Sequence, residues 1–226
     1  MSVKLISHTI SCDEDIHIAT PTELIAFCAR VSNPSNQMNN ETAEKLINYL
    51  IKWKHWSPFE MVNVTLEIET TRDIARQILR HRSFTFQEFS QRYADPTKEL
   101  EFSIREARLQ DTKNRQNSID IDDTNLQTQW VLKQQELIQQ TLQTYQWAID
   151  NGIAKEVARA VLPEGLMMSR LYVNGTIRSW IHYIETRTHI STQKEHRQIA
   201  QQCAEQIAVI FPLINKFSHD EVSNAE

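Results

Sequence analysis

The sequence predicts an α+β fold: one domain in which a mixed or antiparallel sheet packs against several long helices. Three observations carry that expectation. Glu60 to Glu69 alternates apolar and polar residues, as a half-buried strand does. Stretches towards both ends of the chain instead space their apolar residues at helical intervals. No internal repeat or break in composition divides the 226 residues, so a single domain, 1–226, is expected.

Taken in order, Val3 to Ile10 reads as a short strand. Thr20-Pro21-Thr22-Glu23 has the form of a capping box with proline at the first helical position, and it opens a helix through Leu24, Phe27 and Val31. After the polar turn Asn33 to Asn40, a second helix runs from about Glu41 to Trp53, with Leu46, Leu50 and Trp53 on one face. It stops at Lys54-His55-Trp56-Ser57-Pro58, where proline turns the chain out of helix. In the central strand Val62, Val64, Leu66 and Ile68 take one face. Thr70 or Thr71 caps the next helix, which delivers Arg72, Arg76, Gln77 and Arg80. Glu101 to Ile104 suits another strand, and residues 110–124 form a polar surface loop. Leu126, Trp130, Leu137, Tyr145 and Ile149 mark a long amphipathic helix. Ala154 to Leu162 reads as helix, Leu166 to Val173 as strand and Thr176 to Arg187 as helix. The last helix carries Ile199, Cys203, Ile207, Ile210 and Ile214, followed by a frayed tail, 219–226.

Composition excludes several classes. Three glycines cannot write a glycine-rich phosphate loop. Three distant cysteines support neither a disulfide framework nor a cysteine zinc site, and the scattered histidines support no metal site. The N-terminus lacks a basic region followed by an apolar run, and no apolar stretch reaches membrane-spanning length, so a soluble cytoplasmic protein is expected. A net charge of −5 argues against a nucleic acid polymer as partner; a local basic patch on such a body points to a small anionic ligand.

That patch runs from Arg80 to Tyr93, RHRSFTFQEFSQRY. Arg80, His81 and Arg82 stand together, and Glu88, Ser90 and Arg92 follow at alternate positions in an extended segment that must bend if Phe84 and Phe86 are core. The stripe Arg72, Arg76, Arg80 sets like charges four residues apart, which an isolated helix disfavours by a few tenths of a kcal/mol per pair. A solvated basic face is the bland explanation. The sharper one is a nucleotide: arginine offers bidentate donors to phosphate, serine and glutamine neutral hydrogen bonds, and glutamate an acceptor for a hydroxyl or base N–H.

Other candidates each carry two readings. Arg178 and His182 share a helical face, and His182 is either a satisfied histidine or a ligand contact. Arg187 lies nine residues from Arg178, about half a rotation away. His55 and Ser57 lie in an aromatic loop that either holds a planar ring or plugs a helix end. Arg159, the one charge in an apolar run, either snorkels or binds an anion.

Arg80-His81-Arg82, seven residues, then Ser90, with Arg92-Tyr93 after it, resembles the signature of the flavin-dependent thymidylate synthases. Trp56-Ser57-Pro58-Phe59-Glu60 resembles the family's loop before its central strand. Ala158-Arg159 through Leu162-Pro163, Arg178 to Arg187, and Gln193 with Glu195 match later segments in order. The resemblance implies a fold of the thymidylate synthase-complementing type. It also implies synthesis of dTMP from dUMP, with methylenetetrahydrofolate as carbon donor and NADPH reducing equivalents passing through FAD. It further implies a homotetramer with active sites at subunit interfaces.

Carried over by motif, the resemblance implies dUMP contacts from Gln77, Arg80, Glu88, Ser90, Gln91, Arg92, Arg159 and Arg187. FAD contacts are implied for His55, Ser57, Arg80, His81, Arg82, Glu88, Thr176, Arg178, His182 and Ser191. Many members carry Asn, Asn and His where this chain has Thr176, His182 and Ser191. Arg187 is the expected catalytic residue, stabilising the anionic form of the uracil ring. The family uses no cysteine nucleophile, in agreement with three cysteines in bland surroundings. Two rivals stand beside this reading: an RNA- or nucleotide-binding module, and a family member that binds nucleotide without turnover.

Overall fold

A computed structural model describes residues 1–13 and 15–219. In chain order the elements are β1 (Ser2–His8), α1 (Pro21–Ala29), α2 (Ala43–Lys52), β2 (Asn63–Thr71), α3 (Arg72–Ile78), β3 (Thr85–Glu88) and α4 (Pro96–Glu99). There follow β4 (Arg108–Gln110), β5 (Ser118–Asp120), α5 (Thr124–Asp150), α6 (Lys155–Ala158), β6 (Met168–Thr176), α7 (Ile177–Arg187) and α8 (Lys194–Ala208). A four-stranded sheet has the order β1-β2-β6-β3, and β4 pairs with β5, so the α+β expectation holds. The described residues cluster into two compact units. The first holds Met1, Glu69–Arg80 and Glu88–Leu171; the second holds Ser2–Ile68, His81–Gln87 and residues 172–219.

In the second unit the expected capping box closes. Thr20 Oγ1 accepts from the Glu23 N–H at 3.2 Å, and Glu23 Oε2 accepts from the Thr20 N–H at 3.0 Å. Helix α1 stops at Ala29, so Val31 lies beyond it and is exposed rather than buried. Helix α2 buries Ala43, Ile47 and Leu50, and Trp53 is exposed, so the inward face is rotated from the expected one. Its end is a Schellman turn in which Lys54, at φ 56°, takes the left-handed position usually given to glycine. The His55 N–H reaches Leu50 O at 2.9 Å and the Lys54 N–H reaches Ile51 O at 3.1 Å. Val62, Val64, Leu66 and Ile68 are all fully buried, as the alternation predicted. Ile25, Ile47, Phe59, Trp180, Ile199, Cys203, Ile207 and Phe211 of the same unit are fully buried as well.

In the first unit Ile74, Ala75, Ile78, Met167 and Leu171 are buried, and Tyr145, Ala148, Ala158 and Leu162 form a further apolar cluster. Glu101 to Ile104 is not a strand; one antiparallel bridge, Phe102 to Met167, marks it. The extended backbone beyond takes its partners from a helix instead. Buried Gln134 of α5 accepts from the Arg105 N–H at 2.9 Å and donates to Arg105 O at 2.8 Å. Gln127, seven residues earlier, does the same for Ala107 at 2.8 and 2.9 Å. Two glutamines two helical turns apart thus replace a neighbouring strand. Of the expected apolar stripe, Tyr145 is buried and Ile149 packs against its cluster, whereas Leu126, Trp130 and Leu137 are exposed and Gln134, Thr141 and Ala148 face inward.

The polar loop expected over 110–124 is in part a hairpin, with Arg108 opposite Asp120 and Gln110 opposite Ser118. Its turn is built by Asp111, whose carboxylate accepts from the Lys113 and Asn114 N–H groups at 2.8 and 3.0 Å and from Asn117 Nδ2 at 3.1 Å. The frayed tail, 219–226, lies outside the described residues except for His219, whose N–H donates to Thr188 Oγ1 at 3.0 Å.

Replacing Gln134 by leucine keeps the volume but leaves the Arg105 N–H and C=O unpaired. The expected loss is about 2–4 kcal/mol, read as a lowered urea midpoint at constant slope; an unchanged midpoint would show that the glutamine ladder carries no stability.

Candidate functional site

The arginine stripe of α3 is resolved by acids from elsewhere in the first unit. Arg72 pairs with Glu88 at 3.4 Å and Arg76 with Glu164 at 2.5 Å, whereas Arg80 is exposed with no acidic partner among the described residues. Glu88 also accepts from Ser169 Oγ at 2.8 Å. The helix ends at Ile78, so Arg80, His81 and Arg82 occupy a turn rather than the expected helix end.

Beyond β3 the chain turns at Ser90, whose carbonyl accepts from the Tyr93 and Ala94 N–H groups at 3.1 and 3.2 Å. That turn is held on α6. Arg92 pairs with Glu156 at 3.4 Å, and Lys155 Nζ donates to Tyr93 O at 3.1 Å. Arg159 Nε donates to Glu156 O at 3.3 Å, so Ser90, Gln91, Arg92 and Arg159 are brought together. Gln91 is buried and its Nε2 has no hydrogen-bond partner among the described residues, a donor held out of water and unsatisfied. Gln77 is half-buried on α3.

The other named residues lie in the second unit. Arg178 and His182, one turn apart on α7, line an open cleft of about 410 Å³ with Trp56, Glu60, Ser83 and Glu185. The Arg178 guanidinium is paired with the Glu60 carboxylate, and both side chains are about half exposed. Thr176 is the N-cap of α7: its Oγ1 accepts from the Ser179 N–H at 3.2 Å. Threonine and asparagine both serve as N-caps, which accounts for threonine at a position where the resemblance places asparagine. Ser191 Oγ bonds His189 Nδ1 at 2.8 Å in an exposed loop and is not one of the residues that line the cleft. His55 and Ser57 are exposed, and the helix-plug reading of their loop has a physical basis, because the His55 backbone closes α2. Arg82 is exposed.

Arg187 sits on the other side of α7, as its half-rotation from Arg178 required. Its Nε donates to His81 Nε2 at 2.9 Å, which makes that imidazole nitrogen an acceptor. The His81 ring stands edge-on to Tyr183, with centroids 5.0 Å apart. Tyr183 is fully buried and its hydroxyl bonds His196 Nε2 at 3.1 Å. Burial pushes the Tyr183 phenol well up, and burial together with Arg187 and His81 pulls His196 down to about 3. Cys203 behind them is fully buried with its thiol pushed up by desolvation, so it is a packing residue as expected.

Sequence reasoning missed Glu60, Glu156, Tyr183 and His196. The two acids give no local signal, since their partners lie far away along the chain. His196 did give one: it stands three residues before Ile199 on the buried stripe of α8, a polar residue among apolar ones.

His196 sets a pH dependence of stability. Its folded value, about 3, lies below the ordinary histidine value, so between the two the unfolded chain binds the extra proton. Stability from this group is complete above about pH 6.5 and falls as pH drops towards 3, a loss on the order of 3–5 kcal/mol. His196→Gln removes the titration, so urea unfolding of the variant should lose less stability between pH 7 and 4 than the wild type. Parallel curves would contradict the neutral buried histidine.

Comparison with known proteins fits this geometry. The family described as thymidylate synthase complementing protein matches residues 13–213. A probable flavin-dependent thymidylate synthase of Paramecium bursaria Chlorella virus 1 is 50% identical over 216 residues, covering 96% of this chain and 98% of that protein. A flavin-dependent thymidylate synthase of Synechocystis sp. is 51% identical over 181 residues, 80% of this chain and 81% of its own. Among solved structures, the UMP/dUMP methylase PolB of Streptomyces cacaoi bound with 5-Br dUMP superposes with a TM-score of 0.77 at 25% identity, covering 96% of this chain and 93% of that one. The family match over residues 13–213, with 50% identity to a relative across 96% of this chain, makes the chain a member of the thymidylate synthase complementing protein family.

Proposed function

We propose that the protein is a flavin-dependent thymidylate synthase, converting dUMP to dTMP with methylenetetrahydrofolate as carbon donor and NADPH-reduced FAD. The observation that carries this reading is the selective commitment of the arginines. Arg72 and Arg76 are neutralised internally, while Arg80 is exposed without an acidic partner among the described residues; Arg92, in an ion pair with Glu156 that is about half exposed, and Arg159 gather round one turn. An isolated basic face has no reason to neutralise two cations and spare a third; a phosphate-binding edge does.

The orphaned Gln91 Nε2 fits a nucleotide, because a uracil carbonyl or a sugar oxygen satisfies a buried amide donor. In this reading Arg80, Arg92 and Arg159 hold the phosphate, Ser90, Gln77 and Gln91 give neutral hydrogen bonds, and Glu88, pinned by Arg72 and Ser169, offers an acceptor. In the same reading Arg187, its Nε held by His81, offers its terminal N–H groups to the ring. A cation there favours the anionic form of uracil and makes its carbon 5 nucleophilic.

The cleft of the second unit fits a flavin by its donors: Arg178 and His182 suit a diphosphate, Trp56 a planar ring. His55, Ser57, His81, Arg82, Thr176 and Ser191 complete the proposed flavin set with Arg80 and Glu88. The flavin, when bound, supplies the reducing equivalents. The whole chain is read as one catalytic domain, since the family match runs through both units. Exposed Leu126, Trp130 and Leu137 of α5 support assembly into a homotetramer, and no helix among the described residues is long and apolar enough to cross a membrane. A cytoplasmic location is part of the same proposal.

Purified protein incubated with dUMP, methylenetetrahydrofolate, NADPH and FAD should give dTMP; its absence from folded, flavin-loaded protein overturns the reading. Arg187→Ala should abolish turnover while flavin stays bound, and surviving turnover would remove Arg187 from the catalytic role. Glu60→Gln releases Arg178 from its carboxylate, so FAD should bind several-fold more tightly, the range a half-exposed ion pair supports. Unchanged or weaker binding in a flavin titration would place the diphosphate elsewhere.

A further inference from the structure

Behind the Arg187–His81 pair lies a buried arrangement that substrate contact does not explain. Arg187 has one of its donors fixed by a neutral imidazole nitrogen, at 2.9 Å. That imidazole has to be aimed, and its ring rests edge-on against Tyr183 at 5.0 Å and beside Phe84 at 6.2 Å. Tyr183 is in turn fixed on all sides. Its ring meets Trp180 at 5.7 Å and 90° and Phe84 at 5.8 Å and 78°, and its hydroxyl is bonded to His196 Nε2 at 3.1 Å. Tyr183 and His196 are both fully buried, so neither meets a ligand directly. An apolar pair would fill the same space without the desolvation penalty of a hydroxyl and an imidazole. What the polar pair adds is direction: one hydrogen bond fixes the long axis of the tyrosine ring.

We infer that Tyr183 and His196 are positioning residues for Arg187: their buried hydrogen bond sets the ring against which His81 packs edge-on, and His81 holds Arg187 at its working angle. The inference rests on the reading of Arg187 as a dUMP contact. Neither residue takes part in proton transfer. The raised phenol of Tyr183 and the lowered imidazole of His196 keep both neutral across the working pH range, which suits a fixed strut. Misplacing a substrate-facing group by a fraction of an ångström to an ångström lowers turnover by one to two orders of magnitude.

The test uses FAD-loaded protein and three readouts: kcat and KM for dUMP, dUMP affinity from the perturbation of flavin absorption, and melting temperature. Tyr183→Phe should retain FAD and lower kcat about tenfold, and it should weaken dUMP binding about tenfold. In an Arg187→Ala background the same change should weaken dUMP binding less than about twofold, because the group being positioned is gone. His196→Gln, whose amide reaches the place of Nε2, should recover kcat to within about threefold, whereas His196→Leu should not. These two variants carry the comparison if Tyr183→Phe fails to fold.

Losses that add in full across the double variant, or that follow melting temperature and flavin content alone, would mean a merely structural role and overturn the inference. If Arg187→Ala itself keeps wild-type dUMP affinity, the functional reading of Arg187 fails first and the inference falls with it. If Arg187→Ala loses dUMP affinity but Tyr183→Phe and His196→Leu keep wild-type kcat, the inference alone is wrong.

Discussion

The ring of Phe84 occupies the space in which any residue other than glycine at position 175 would place its Cβ. A Cβ built on Gly175 would lie 2.2 and 2.4 Å from two atoms of that ring, far inside contact distance. The close approach lets Phe84 settle on Trp180 at 4.5 Å, and Phe84 and Trp180 together wall in Tyr183. His81, three residues before Phe84, takes its place from the same aromatic cluster. Gly175 is therefore needed not for a turn or a positive φ but for want of a side chain. The second unit's part of the proposed chemistry depends on that missing atom, since Arg187 reaches its position through His81.

A second constraint governs the first unit. Like charges four residues apart on α3 are tolerable only where opposite charge is brought to them. Glu88 comes from β3 and Glu164 from the segment before β6. Each pairing commits one arginine of α3 to an internal acid, and Arg80 beyond the helix end is left without one among the described residues. The basic stretch seen in the sequence is thus larger than the basic surface displayed by the fold, and selectivity among chemically identical side chains is created by where acids are placed.

How much of this was legible in the sequence follows from the range of each interaction. The capping box at Thr20 and the alternation from Val62 to Ile68 are local devices, and both were read correctly because each needs only neighbouring residues. The left-handed Lys54 was not readable, since lysine carries no bias towards that conformation. The inward face of α5 was read correctly at Tyr145 and Ile149 but misjudged in the first half, where it is chosen by hydrogen-bonding glutamines while apolar periodicity pointed to Leu126, Trp130 and Leu137. Of the site, the arginines and the signature turn were visible as residue types at set spacings. Their partners were not, because Arg76 and Glu164 stand 88 positions apart and Arg178 and Glu60 118.

The glutamine ladder of α5 also bears on how this chain can change length. Gln127 and Gln134 serve alternate residues of one extended segment only because seven residues return a helix to nearly the same face. One residue inserted between them would turn the second glutamine about 100° away and strand the backbone groups of Arg105. One residue added within the hairpin that joins Ala107 to Thr124 alters an exposed turn and leaves both glutamines in register. Length variation in this region of the family should therefore accumulate in the hairpin and stop abruptly at the start of the helix.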